Sequence, residues 1–221
     1  MTVADCQDEV RPTCLMVDFG GVLTSSVLEA FAGYEVRQAV APGTVARLLR
    51  EDAGAAALLV EHECGRLSDE DFEDGLVERA RVHGARLTPR GLIQGLQSGL
   101  RPDEQMIRYV RSLHEAGVGV AVVSNALGQG CYDGYDLLGL ATVVVRSNEL
   151  GVRKPSRGIY EHAARELGVQ ASQCVLVDDV EVNLAGAARL GVQGVLHVSA
   201  AGSIARLEEL DLVRARTAAA S

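Results

Sequence analysis

Five short apolar runs constrain this fold more than any other feature: CLMVD (residues 14–18), VGVAVVS (118–124), ATVVV (141–145), CVLVDD (174–179) and GVLHV (194–198). None alternates apolar with polar residues, so each predicts a strand buried on both faces, as in a parallel sheet. Segments 103–116, 157–168, 182–190 and 202–210, which lie between or after the later runs, carry helical spacing. Strands alternating with helices predict βαβ units and therefore an α/β, doubly wound, Rossmann-like parallel sheet. The interval from residue 24 to 101 is different, because it reads as helices throughout and is too long for an ordinary connection. It predicts a small helical cap inserted over the C-terminal edge of the sheet, with residues 1–23 and 102–221 forming the core. Within it, Ser68 and Thr88 read as helix caps, with Pro89 at a first helical position. The first dozen residues and the tail TAAAS read as mobile ends.

With 48% hydrophobic and 23% charged residues, the chain has the composition of a soluble globular protein, neither disordered nor membrane-spanning. A formal net charge of −9 argues against nucleic acid as a partner, and 4% aromatic residues with no Trp argue against base stacking. A single phosphate group stays compatible with that charge, since one lysine and a helix N-terminus suffice locally. Cys6, Cys14, Cys64, Cys131 and Cys174 form no CxxC pair and have no histidine at zinc spacing, so they read as free thiols. The N-terminus carries no basic start followed by an apolar stretch. A cytoplasmic location is the expectation.

In open α/β sheets, ligands bind beyond the carboxyl ends of the strands, which fixes where to look for chemistry. The first run ends in Asp18, followed by Gly20 and Gly21; the second ends in Ser124 and Asn125; the fourth ends in Asp178 and Asp179. Lys154, in the loop VRKPS after the third run, can reach the same edge. Carboxylates crowded at one edge repel unless a cation sits among them, and oxygen donors of this kind suit Mg2+. A carboxylate left free to attack can form an acyl-phosphate, dividing one hard displacement into two easier steps. Gly20 and Gly21 allow backbone amides to come close to phosphoryl oxygens, while Ser124 and Lys154 can offset charge on the transferred group.

The ordered motifs DFGGVLT, VVSN, RKP and LVDDVEVN resemble the four motifs of the haloacid dehalogenase superfamily, across nearly the whole chain. The helical insertion after the first motif is similar to that of the subgroup containing phosphoglycolate-type and sugar phosphatases and the haloacid dehalogenases. The resemblance implies Asp18 as nucleophile and metal ligand, with the Gly20 carbonyl as a second ligand and Asp179 as the fourth-motif metal carboxylate. It implies that Asp178 supports the metal or binds through water, and that Asn183 braces the site behind it. It assigns Ser124 and Asn125 to holding the phosphate, and Lys154 to balancing the charge of nucleophile and phosphate. The expected partner is a small phosphorylated metabolite such as a sugar phosphate or a short phosphorylated acid, handled by a monomer or homodimer.

One position departs from the pattern. Phosphatases of this superfamily usually carry a second Asp two residues after the nucleophile, where this chain has Gly20. General acid catalysis is worth about two to four orders of magnitude, so its donor must be accounted for. Thr24, a water, or a cap residue such as Glu29, His62 or Glu63 could supply the proton. Alternatively, the chain is a dehalogenase, whose halide needs no proton, or a phospho-ligand-binding protein without turnover.

Overall fold

The computed structural model describes residues 11–88 and 90–213, so Cys6, Pro89 and the two terminal segments lie outside the described residues. In chain order the elements are β1 (Cys14–Val17), α1 (Val27–Arg37), α2 (Thr44–Glu51), α3 (Ala53–Glu63), α4 (Asp69–Val82), α5 (Leu92–Gln97), α6 (Glu104–Glu115), β2 (Gly119–Ser124), β3 (Val143–Arg146), α7 (Ser147–Leu150), α8 (Arg157–Glu166), β4 (Cys174–Asp178), α9 (Glu181–Ala188), β5 (Gln193–Leu196) and α10 (Ala200–Leu210). The five strands form one sheet in the order β3-β2-β1-β4-β5. Every neighbouring pair is parallel. The third strand starts at Val143 rather than at residue 141, because Ala141 closes a turn onto the Leu137 carbonyl at 3.0 Å.

The apolar runs are explained by what covers each face of the sheet. Leu15, Val17, Val120, Val122, Val175 and Val177 point to one side, where Met106 and Val110 of α6 and Leu207 of α10 pack on them. Cys14, Met16, Ala121, Val123, Cys174 and Leu176 point to the other, against Ile159 and Tyr160 of α8 and Ala187 of α9. The central strands β1, β2 and β4 are covered on both faces and so are apolar up to Ser124 and Asp178 at their carboxyl ends, whereas the edge strands β3 and β5 are only partly buried and also carry Arg146 and Gln193. Cys14, Cys64, Cys131 and Cys174 are all buried.

Helices α1 to α5 build a third apolar cluster of their own, centred on Phe31, Tyr34, Phe72, Leu76 and Leu96. The segments entering and leaving this helical layer run side by side. Ser25 N donates to Arg101 O at 2.7 Å, Asp103 N donates to Leu23 O at 2.9 Å, and Thr24 pairs with Pro102.

Two helix starts in this layer are capped from a distance. The expected cap at Ser68 is present, accepting from Asp71 N at 3.1 Å. Thr88 is no cap: α5 begins at Leu92 after Gly91, and the buried Glu73 of α4 accepts from Gly91 N at 3.0 Å and Ile93 N at 2.8 Å. Glu35 of α1 does the same for α2, accepting from Gly43 N at 2.6 Å and Val45 N at 2.7 Å. A carboxylate facing orphan helix N–H groups satisfies them and complements the helix dipole. Glu73 is buried in this role.

Asp52 caps α3 through Ala55 N at 2.8 Å and also meets Arg79 and His83. The bonds from Arg79, His83 and Ala55 hold its carboxyl well below the ordinary range. Its folded pKa lies under the unfolded one, so its stabilisation is full above the unfolded value and fades as pH falls through and below it. Asp52→Asn is expected to lower the thermal midpoint at neutral pH and to match the parent in strong acid, which a pH series of melting curves checks.

Candidate active site

The register of the sheet puts the chemistry at one edge. Val17 is level with Val122 of β2 and Val177 of β4, so the next residues, Asp18, Val123 and Asp178, emerge together at the carboxyl ends. Asp18, Asp178 and Asp179 have carboxylate oxygens all within 4.8 Å of one another. Asp18 and Asp178 are buried, and Asp179 is partly exposed.

Lys154 is the cation that makes this arrangement tenable. Its side chain is 1% exposed, and its Nζ lies 2.7 Å from Asp18 Oδ1 and 2.7 Å from Asp178 Oδ2. Burial works against its ammonium, but the contacts with Asp18 and Asp178 outweigh it, so its pKa is raised and the charge is kept. Burial pushes the Asp18 carboxyl well above its usual range; Lys154 opposes this, while Asp178 and Asp179 push the same way. Asp179 is also raised, by burial and then by Asp178. One ammonium thus faces three carboxylates, and the excess negative charge is what a divalent cation relieves.

The other expected residues surround this trio. Asp18 Oδ1 accepts from Phe19 N at 2.6 Å as well as from Lys154. Phe19 is locked by Tyr132 and Tyr135, with ring centroids 4.9 and 4.8 Å away. Asp178 has both oxygens engaged, Oδ2 by Lys154 and Oδ1 by Val180 N and Asn183 Nδ2, each at 2.9 Å. Asn183 is thus placed behind the acidic pair, and its own carbonyl accepts from the Tyr160 hydroxyl at 2.8 Å. Ser124 is buried at the end of β2, its hydroxyl 3.5 Å from Asn125 O.

Asn125 lines the cavity beside Asp18 and Lys154, with its side-chain amide bonded within the protein. Its Oδ1 accepts from Lys154 N at 2.8 Å and its Nδ2 donates to Lys154 O at 3.1 Å, so the amide clamps the lysine loop. Gly21 also has a role other than offering its amide, which donates to Thr24 Oγ1 at 3.3 Å. Its φ is +81°, and a Cβ there would lie 2.2 Å from Asp179 Oδ2. Gly21→Ala is expected to cost about 1–3 kcal/mol in denaturant unfolding through the left-handed backbone alone, and to displace Asp179. Unchanged stability would contradict this.

Gly20 sits tightly against the helical layer. A Cβ at that position would come 2.9 Å from Val27 Cγ2, so the start of α1 occupies the space a side chain would need. A cavity of about 390 Å³ opens beside Asp18, Lys154 and Asp179. Its far wall comes from the helical layer, including Val27, Leu28 and Phe31 of α1, Leu49 of α2 and Leu59 and Glu63 of α3. His62, the neighbour of Glu63, is turned to structure: its Nε2 lies 2.8 Å from Asp69 Oδ1 and its ring stacks on Phe72 at 4.5 Å. Sequence reading underrated Arg153 and Ser147. The Arg153 guanidinium lies 2.7 Å from Glu63, and the buried Ser147 hydroxyl accepts from Ala126 N and donates to Glu63 O. Arg153 stands next to Lys154 in the RKP motif, which is the signal that could have found it.

The parallel sheet thus carries an acidic trio and a buried lysine together at its carboxyl edge. The chain belongs to the haloacid dehalogenase-like hydrolases, whose family model matches residues 12–191. It is 26% identical over 142 residues to a sesquiterpene phosphatase of Aspergillus oryzae, covering 63% of this chain and 71% of that protein. It is 33% identical over 97 residues to a glyceraldehyde 3-phosphate phosphatase of Methanopyrus kandleri, covering 42% of each. This second match spans less than half of that relative. Among solved structures, a HAD family enzyme of Bacteroides thetaiotaomicron in complex with magnesium and inorganic phosphate superposes with a TM-score of 0.61 at 17% identity, over 84% of this chain and 93% of that one. Among the described residues, no helix is long and apolar enough to cross a membrane.

Proposed function

We propose that this protein is a magnesium-dependent phosphatase that hydrolyses a small phosphorylated metabolite through an aspartyl-phosphate on Asp18. The observation that carries the reading is the buried Lys154 Nζ at 2.7 Å from Asp18 and from Asp178, with Asp179 in the same cluster. Lys154 and Phe19 N both bind Oδ1 of Asp18, which leaves Oδ2 as the attacking oxygen. The ammonium and the Ser124 hydroxyl balance charge on the transferring phosphoryl group. Asp18, Asp179 and the Gly20 carbonyl would hold Mg2+, with Asp178 supporting through its bonded network. The ion supplies charge neutralisation on the phosphoryl oxygens when bound. Two relatives bear phosphatase names, and a structural neighbour was solved with magnesium and phosphate, which supports the same reading.

Residues 24–101 act as the cap, and their wall sets the substrate. Val27, Leu28, Phe31, Leu49, Leu59 and Leu127 face the cavity, which favours a phosphate ester with a compact apolar body over a polyhydroxylated sugar.

The test is phosphate release over a panel of alkyl, prenyl, sugar and acid phosphates, with and without magnesium. Release from apolar esters that a chelator abolishes is the expected result. Halide release from 2-halo acids in the presence of the chelator, with no phosphate released from any ester, would replace this reading with a dehalogenase.

A further inference from the structure

The space beside Gly20 is closed by Val27, so the proton for the leaving group must come from elsewhere. The groups named from sequence separate clearly in space. Thr24 is committed, its hydroxyl donating to Ser25 O at 3.0 Å while accepting from Gly21 N. Glu29 is exposed, and His62 is paired with Asp69. Glu63 lines the same cavity as Asp18, Lys154 and Asp179, and among the described residues it is the one carboxyl that the helical layer brings to that wall. Resting on the phosphatase reading above, we propose that Glu63 is the general acid and base of this site, delivered from the end of α3 in place of the residue that Gly20 lacks.

The position of Glu63 is built. Its backbone carbonyl accepts from the Ser147 hydroxyl at 2.5 Å, which ties the end of α3 to the end of β3. Glu63 is buried, and its carboxyl lies 2.7 Å from the Arg153 guanidinium, without the alignment of a hydrogen bond. The charged groups facing it are Arg153 and Lys154, with Asp18 and Asp179 across the cavity. From neighbouring helices, α1 and α2 present apolar Val27, Leu28, Phe31 and Leu49 to the cavity, α4 sends Asp69 to His62, and α7 contributes Ser147. Burial pushes the Glu63 carboxyl up to about 7, against the pull of Arg153 and Lys154. A value near the working pH lets one group give a proton and take it back.

The steps balance. As Asp18 Oδ2 bonds to phosphorus, the P–O bond to the organic group breaks, and the departing oxygen takes the Glu63 proton to leave as an alcohol. Glu63, now a carboxylate, then takes a proton from water as that water's oxygen bonds to phosphorus. The bond from phosphorus to Asp18 breaks, releasing inorganic phosphate and restoring both carboxyl groups to their starting states.

The experiment compares parent and Glu63→Gln on a series of phosphate esters, from p-nitrophenyl phosphate, whose leaving group needs little help, to simple alkyl phosphates, whose leaving group needs a proton. Single-turnover rates are measured with magnesium across pH. The variant is expected to lose about 10²–10⁴-fold on alkyl esters and less than tenfold on p-nitrophenyl phosphate. For the parent, alkyl-ester cleavage should fall as pH rises through about 7, and the variant should lose that inflection. Folding is read separately. A carboxyl raised in the folded state makes the parent lose stability as pH rises from its unfolded value towards about 7, so the melting midpoint of Glu63→Gln should gain on the parent over that range. If the variant fails to fold, the parent alone decides, because its dependence on leaving-group basicity should steepen above about pH 7. Equal losses on all esters by a folded variant, or a leaving-group dependence in the parent that ignores pH, would overturn the role of Glu63 while leaving the phosphatase reading intact. No turnover by the parent on any ester would remove both.

Discussion

Asp18→Asn is expected to abolish phosphate release on every ester the parent cleaves, by about 10⁴-fold or more, while leaving the fold intact. The amide has nearly the same shape but cannot form the acyl-phosphate, so the loss falls on the first chemical step. Stability should hold or rise. Burial raises the Asp18 carboxyl, which means that its charge is carried at a cost that a neutral amide avoids. The measurement pairs steady-state kinetics with thermal unfolding on the same preparations. A variant retaining a tenth of the parent's activity would remove Asp18 from the nucleophile's role.

Lys154→Met carries the second large effect, and it reaches both activity and stability. The ammonium, fully buried, bridges Asp18 and Asp178, so its removal leaves two buried carboxylates without their shared cation. Removing one partner of a buried ion pair typically costs about 3–5 kcal/mol. Magnesium should recover part of this loss, since an ion that binds only the folded state stabilises it by mass action. Turnover should not recover, because the ion does not replace the ammonium at the phosphoryl group. Denaturant unfolding with and without magnesium checks this, and a loss under about 1 kcal/mol would contradict the bridging role.

Much of the fold was legible because it follows from local pattern. Strands buried on both faces must be continuously apolar, and the five runs mark them to within about two residues. The long helical interval follows from its spacing in the same way. The acidic trio was legible because a parallel sheet carries the ends of β1 and β4 to one edge, so residues 18, 178 and 179 must meet. The parts that were not legible depend on pairs of residues distant in sequence. Glu73 satisfies the start of α5 from 18 and 20 residues away, which no local cap signal at Thr88 could reveal. The Asn125 amide is taken up by the backbone of Lys154, 29 residues on, a clamp on the lysine loop that no local pattern announces. Ser147 meets Glu63 across 84 residues. The close approach of Val27 to Gly20 was also hidden, because it lies in the packing of α1 rather than in the motif.

The most direct measurement of the central claim is to stop the magnesium-loaded protein with acid during turnover of a phosphate-labelled ester and map the label by peptide mass. The label is predicted on the peptide containing Asp18, absent from Asp18→Asn and absent when magnesium is withheld. Steady turnover with no trapped label, or label on a different residue, would contradict an aspartyl-phosphate at the end of β1.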